Sequence, residues 1–353
     1  MLYMILPRPF CSFTIMSTSR HFSLLGGLLG AIFLTTSIAM AETPVVPSGL
    51  KLLAPNARDQ DDMCFWIHPT RPEMSTIITS DKAAGCLHVY DLSGQVLQQV
   101  DVPKPGNIDL RNDFPFRNEK ITIVALNQRS GTSQIRIWKV DSQSRRLEAI
   151  ATNIPTGQNY GGCLYRSLKT GRFYFLVTSK SEGAKLFEIF DNQNGGIDGR
   201  LIRSWDLGFS EGAVADDENA MLYVSEERKG IWKLSAESDQ DAPPKLIAPV
   251  GKNGTRGDLE GLAIYKTSPR QGYLLVSDQG RNRFQAFQRD GDNAYLGEFE
   301  VKGVRVTDGI ETVNAIGLPG FEEGLFACHT DPLPCAVILV PWKGIREALK
   351  LPQ

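Results

Sequence analysis

The chain has 353 residues and a formal net charge of −2, with 38 Lys and Arg against 40 Asp and Glu. That balance gives no broad electrostatic pull toward nucleic acid or an acidic membrane. Beyond the first 41 residues no segment is apolar enough to cross a bilayer, and the length suits two ordinary domains or one large β domain.

The N-terminal stretch reads as an export signal. Ser17, Arg20 and His21 give a polar, positive start, residues 22–40 carry no charge, and Ala39-Met40-Ala41 is a small-x-small cleavage signature. Pro7, Pro9 and Cys11 crowd the stretch before Met16, so translation is expected to start at Met16. Residues 1–41 are therefore expected to be a signal peptide. The mature chain, 42–353, is expected to be secreted or periplasmic.

Past the leader, short apolar or alternating runs bounded by Gly, Pro, Asp and Asn replace any long helical periodicity. They cover residues 76–80, 86–90, 121–126, 134–140, 173–178, 185–190, 221–225, 230–234, 273–277, 283–288, 324–328 and 336–340. Runs of this length, rich in Val, Ile, Tyr, Phe and Trp, predict strands. An aromatic-bearing strand followed by a polar turn recurs at Tyr90-Asp91, Trp138 to Asp141, Phe187 to Asp191, Trp232 to Leu234 and Phe287 to Asp290. The period, roughly 45–55 residues, is that of a four-stranded propeller blade and yields about six blades. No linker splits the chain, so one all-β domain, a six-bladed β-propeller, is expected; a pair of β-sandwiches is the alternative.

Acidic residues sit at strand edges and in turns, often adjacent. Asp59, Asp61 and Asp62 precede the first strand, and Glu211 opens the segment ending in Asp216-Asp217. Glu226 and Glu227 close a strand, Asp258 and Glu260 flank Leu259, and Asp308 precedes Gly309. A propeller gathers such positions at one end of its channel, where close carboxylates repel and raise one another's pKa values unless cations neutralise them. Oxygen-only ligands suit hard cations, calcium above all. The plain alternative is that each is a solvated turn residue. Lys82, Arg129, Tyr160 and Lys180, each at the end of a run or in a turn, form a basic counterpart able to hold phosphate.

Other chemistries lack their motifs: the chain has no GxSxG elbow, P-loop or HExxH. Only His68, His88 and His329 follow the leader, and His68 before Pro69 reads as structural. Five cysteines, Cys64, Cys86, Cys163, Cys328 and Cys335, lack CxxC spacing and read as small buried hydrophobes, with Cys328–Cys335 a possible disulfide.

In order along the chain, several segments resemble the β-propeller phytases, the alkaline, calcium-dependent class. They are Asp61 to Pro69, Asp81-Lys82 through Leu92, Asn107 to Phe114, Tyr160-Gly161, Glu211-Gly212 with Asp216-Asp217, Leu222 to Glu227 with Gly230 to Lys233, Asp258 to Leu262, Gln279-Gly280, Thr307 to Ile310 and Val340-Pro341-Trp342. The resemblance runs from Asp59 to Ile345. It implies a six-bladed propeller with several calcium ions at one end of the channel. It also implies 3-phytase-type hydrolysis of phytate (myo-inositol hexakisphosphate) or related polyphosphorylated substrates by direct attack of calcium-bound water. By the same resemblance Asp61, Glu211, Glu227, Asp258 and Glu260 hold the catalytic calciums and Gln279 lends a backbone carbonyl. Asp62 holds a structural calcium. Lys82, Arg129, Tyr160 and Lys180 bind phosphate, with a second phosphate pocket alongside.

The chain departs from the family pattern in four places. Cys328-His329-Thr330-Asp331-Pro332 replaces a Gln-Asp-Gly-x-Asn run, Ser181 replaces an acidic neighbour of Lys180, Arg58 stands at an often acidic position, and Cys64-Phe65 replaces a small-aliphatic pair. Two further readings stay open: a calcium-dependent lactonase or esterase with one buried calcium and a His base, and a ligand-binding propeller without catalysis. No nucleic-acid, membrane or second-copy partner is expected.

Overall fold

Each apolar run identified in the sequence forms a strand, and most of its side chains are buried in the sheet packing. The runs pair antiparallel as Thr76–Asp81 with Cys86–Asp91, Glu119–Gln128 with Gln134–Asp141, and Phe173–Thr178 with Ala184–Asp191. They continue as Met221–Glu226 with Gly230–Ser235, Gly272–Asp278 with Arg283–Gln288, and Leu325–Thr330 with Ala336–Pro341. This computed structural model describes residues 42–352 except 238 and 241, so the predicted leader lies outside the described residues.

A further strand precedes each pair. These first strands are Gln60–Trp66, Pro105–Phe116, Gly162–Arg166, Ser210–Asp216, Leu259–Lys266 and Ile310–Val313. Each neighbours the next, and the last neighbours the first, so they ring a central channel. The chain is all-β in a propeller arrangement, and the closed ring rules out the pair of sandwiches. Outer strands complete the sheets. At the closure the outer strand comes from the other end of the chain: Lys51–Leu52 pairs with Ala336–Pro341, and Leu52 is fully buried there.

Six separate four-stranded sheets were expected; five hydrogen-bonded sheets are present among the described residues, one of them eight-stranded. Two outer strands, Arg146–Thr152 and Gly196–Trp205, meet edge to edge, pairing Ala151 with Gly196 and Thr152 with Ile197. A Cβ on Gly196 would lie 2.8 Å from the Ala151 carbonyl oxygen, so the absence of a side chain permits the joint.

The predicted Cys328–Cys335 disulfide does not form; all five described cysteines are free and buried. Strand register explains this. Cys328 faces Ile338 while Thr330 faces Ala336, which leaves the two thiols on different rungs of the hairpin. The Cys335 thiol instead donates to Asp331 Oδ1 at 2.7 Å.

Candidate active site

The first strands approach one another most closely where they begin, and glycines make this possible. A Cβ on Gly161 would overlap the Glu211 carbonyl, one on Gly212 the Glu260 carbonyl, one on Gly261 the Asp308 carbonyl, and one on Gly309 the Asp61 carbonyl. Each glycine directly follows a site residue: Tyr160, Glu211, Glu260 or Asp308. Hydrogen bonds lock the seams, from the Gly261 amide to the Asp308 carbonyl at 2.8 Å and from the Gly309 amide to the Asp61 carbonyl at 3.0 Å. Hydroxyls of the adjoining strands add to them: Thr178 Oγ1 donates to the Glu211 carbonyl at 2.7 Å and Ser225 Oγ to the Glu260 carbonyl at 2.6 Å.

This closure brings residues distant in sequence into one bowl. Carboxylate oxygens of Glu211, Glu227 and Glu260 lie within 4.8 Å of one another, all three buried. Burial and mutual repulsion favour their neutral forms. Glu227 is pushed up to about 7 by burial and then by Glu211 and Asp258. Glu260 is pushed well above the carboxylate range by burial and then by Glu211 and Glu227. Glu211 is raised as well, by burial that the Arg129 guanidinium only partly offsets.

A second acidic group stands beside it, threaded by Lys82. The Lys82 ammonium donates to Asp61 Oδ1 at 2.7 Å and Asp308 Oδ2 at 2.9 Å, and lies 3.6 Å from Asp59. Burial opposes ionisation of Asp61, but Lys82 and Arg129 outweigh it and hold its carboxyl below the usual range. Asp308 goes the other way, up to about 8, through burial and repulsion from Asp61. Arg129 bridges the two groups, bonded to Glu211 Oε1 and 3.7 Å from Asp61 Oδ2. The Tyr160 hydroxyl also reaches Glu211.

Three predicted metal ligands sit differently. Asp62, next to Asp61 but on the opposite face of its strand, lines the channel below the bowl, where Oδ2 accepts from the Ile108 amide at 3.0 Å. Asp258 is exposed at the rim. The Gln279 carbonyl accepts from the Asn282 amide at 3.0 Å, and its side-chain amide binds Asp308.

Lys180 differs from the other cations. Among the described residues its side chain makes no hydrogen bond or salt bridge. Its Nζ lies over two rings, 4.0 Å from the centroid of Tyr160 and 4.7 Å from that of Phe209. Phe209 is not marked in the sequence: an aromatic residue before Ser210-Glu211 carries no pattern that singles it out.

The channel below the bowl is a cavity of about 500 Å³. It is lined in part by Asp109, Arg111, Asp217 and Glu311, also missed from the sequence as a group. Arg111 pairs with Asp109 and Asp217, both at 2.8 Å.

Asp59, His329 and Cys335 form another cluster of potential ligand atoms. His329 Nδ1 accepts from the Asp308 amide at 3.0 Å, which leaves the ring proton on Nε2. That nitrogen is buried without a hydrogen-bond partner among the described residues.

Residues 33–329 match the family model described as Phytase. The chain belongs to the phytase family. A 3-phytase of Bacillus subtilis (strain 168) is 38% identical to it over 271 residues, 75% of this chain and 71% of that protein. Likeness to a solved structure of a calcium-binding protein, regucalcin, from Agrobacterium tumefaciens strain C58 concerns the fold alone. The TM-score is 0.55 and the identity 10%, over 85% of this chain and 97% of that one.

In this phytase-family chain the acidic bowl fits a hard divalent cation. Glu211, Glu227 and Glu260 offer only oxygen, and Glu227 Oε1 and Glu260 Oε2 are buried without any hydrogen-bond partner. Buried carboxylate oxygens left unpaired are costly unless they are protonated or ligate a metal.

Proposed function

We propose that this chain is a calcium-dependent 3-phytase, releasing phosphate from phytate or a related polyphosphorylated substrate. The observation that carries this reading is the bowl itself: three buried carboxylates converge beside Lys82, Arg129, Tyr160 and Lys180 in a member of the phytase family. Asp61, Glu211, Glu227, Glu260 and Asp308 are the residues that would hold calcium, several ions in all, with Asp258 and Gln279 at the rim. Bound there, calcium supplies positive charge for phosphate oxygens and acidifies water for attack on phosphorus.

The protein's own groups bind and orient. Arg129 keeps its charge, since burial disfavours it but Glu211 and Asp61 raise its pKa further. It therefore stays a donor for a phosphoryl oxygen once the carboxylates turn to a metal. Burial and the nearby Glu211 keep the Tyr160 hydroxyl protonated. Lys180 faces solvent with all three N–H donors free for an arriving phosphate. No side-chain nucleophile is assigned, in keeping with the missing Ser, Cys or His triad.

We also count six blades, taking the eight-stranded sheet as two. Six buried apolar clusters, each between consecutive groups of four strands, support that count. The leader supports an exported enzyme, secreted or periplasmic, and a closed ring of blades needs no second copy.

Phosphate release from inositol hexakisphosphate by the protein lacking residues 1–41, with calcium and with a chelator, tests the reading. Release that stops on chelation and returns with calcium is expected. No release at any calcium concentration overturns it, and turnover of a fluorogenic ester or lactone instead favours the esterase alternative.

A further inference from the structure

The cations of the bowl are held in two different ways. Lys82 and Arg129 are engaged by carboxylates. Lys180 is not, although it stands within electrostatic reach of Glu227. The next residue, Ser181, is neutral and bonds Gln158, while the carboxylate of Glu182 is taken by Lys185. Two aromatic faces hold Lys180 instead. Tyr160 and Phe209 meet edge to face, ring centroids 5.5 Å apart and planes at 76°, and both rings lie against the ammonium. Arg129 also stacks over Tyr160, at 4.5 Å, so that ring is shared between two cations. The Phe209 backbone is fixed in turn: its carbonyl accepts from the Glu227 amide at 3.0 Å, and the following Ser210 amide donates to the Ser179 carbonyl at 3.1 Å. The segment bearing Phe209 is thereby tied both to the acidic bowl and to the strand end that carries Lys180.

An aromatic face attracts an ammonium through its quadrupole and takes up no N–H donor. A carboxylate in the same place would neutralise the charge and occupy the donors. We propose that Phe209 is a positioning residue for substrate binding, which with Tyr160 holds Lys180 preorganised and unneutralised to meet the first phosphate that enters. Phe209 itself, 38% exposed, has no polar atom with which to bind phosphate. This inference rests on the phosphatase reading of the same bowl and assigns Lys180 to capture rather than to the chemical step.

The test compares Phe209→Ala with Phe209→Tyr in the calcium-loaded protein, alone and in a Lys180→Met background. Loss of one cation–π contact predicts a rise in KM of about three- to tenfold for Phe209→Ala with kcat changed less than about twofold. Phe209→Tyr restores KM, and in the Lys180→Met background Phe209→Ala adds nothing. A fall in kcat at constant KM, or the same loss with Lys180 absent, overturns the proposal. A second readout needs no turnover. In selectively labelled protein the Lys180 side-chain methylene protons resonate upfield under the ring currents of the two faces, and Phe209→Ala moves them toward their exposed position. If the native protein fails to hydrolyse phytate, the function is wrong but this shift still decides the clamp; its absence in the native protein overturns the clamp whatever the activity.

Discussion

At the scale of single residues, the site is a set of charges that cannot coexist unaided. Glu260 shows this best, being buried with one oxygen unpartnered and two glutamates beside it. Glu260→Gln removes a ligand and a repulsion together. Phosphate release is expected to fall about a hundredfold or more, on the scale of other losses of transition-state charge stabilisation. The chelated variant is expected to melt no lower than the chelated native protein. A large drop in its melting temperature without calcium, or activity near that of the native protein, contradicts the role.

The same charges set a pH dependence. Glu227 moves from 4.5 up to about 7, and Asp308 from 3.8 up to about 8. Through this window the folded, metal-free protein retains protons that the unfolded chain has released. Its stability therefore falls as pH rises from about 5 to 8 on account of these groups, where bound calcium removes the penalty. The gain in melting temperature on adding calcium is expected to grow from pH 5 to pH 8, as thermal scans in chelator and in calcium would show. A gain that shrinks over that range would falsify the assignment.

The carboxylates were legible because acids recur, often adjacent, in the turns and strand edges between apolar runs. Phe209 was not, because its role depends on Tyr160 and Lys180 arriving from other strands. Only the family resemblance separated Asp61 from Asp62; in the structure the register breaks between Gln60 and Asp62, and the two side chains part, one to the bowl and the other into the channel.

At the scale of elements, the twelve strands found in the sequence are the two middle strands of each group. Both faces are covered there, so near-continuous Val, Ile, Leu and aromatic runs survive. The first strands escaped notice as strands because glycines and acids interrupt them at the point of function, as in Ser210-Glu211-Gly212. Outer strands such as Val96–Asp101 are partly exposed and present no continuous apolar run. Gly212→Ala tests the close approach of first strands. The added methyl meets the Glu260 backbone carbonyl, which cannot swing aside as a side chain would. A destabilisation of about 1–3 kcal/mol by denaturant unfolding, together with weakened calcium binding, is expected. Unchanged affinity would mean that the seam can open without moving Glu260.

At the scale of the whole molecule, the propeller was readable from the repeat of aromatic strand and polar turn. The fused eight-stranded sheet was not, since its joint pairs only two residues of each outer edge, Ala151 with Gly196 and Thr152 with Ile197. Closure was equally hidden: Lys51–Leu52 is too short to register as a run, yet it pairs with Ala336–Pro341, and the Leu339 amide bonds the Leu50 carbonyl at 2.8 Å. Starting the chain at residue 54 instead of 42 exposes that edge and removes buried Leu52. A loss of about 3 kcal/mol or more in unfolding free energy is expected, in the range for deleting a buried leucine. Native-like unfolding of the shortened chain would show that the last sheet holds without its partner from the other terminus.

The seams between first strands have one more consequence. Glu211 leans on the glycine after Tyr160, Glu260 on the glycine after Glu211, Asp308 on the glycine after Glu260, and Asp61 on the glycine after Asp308. The acids are thus set like leaves of an iris diaphragm, and the aperture between them follows from the circumference. No single leaf can be widened to suit a larger ion without shifting the rest. Were calcium bound as proposed, its fit would depend on the four seams together rather than on any one acid.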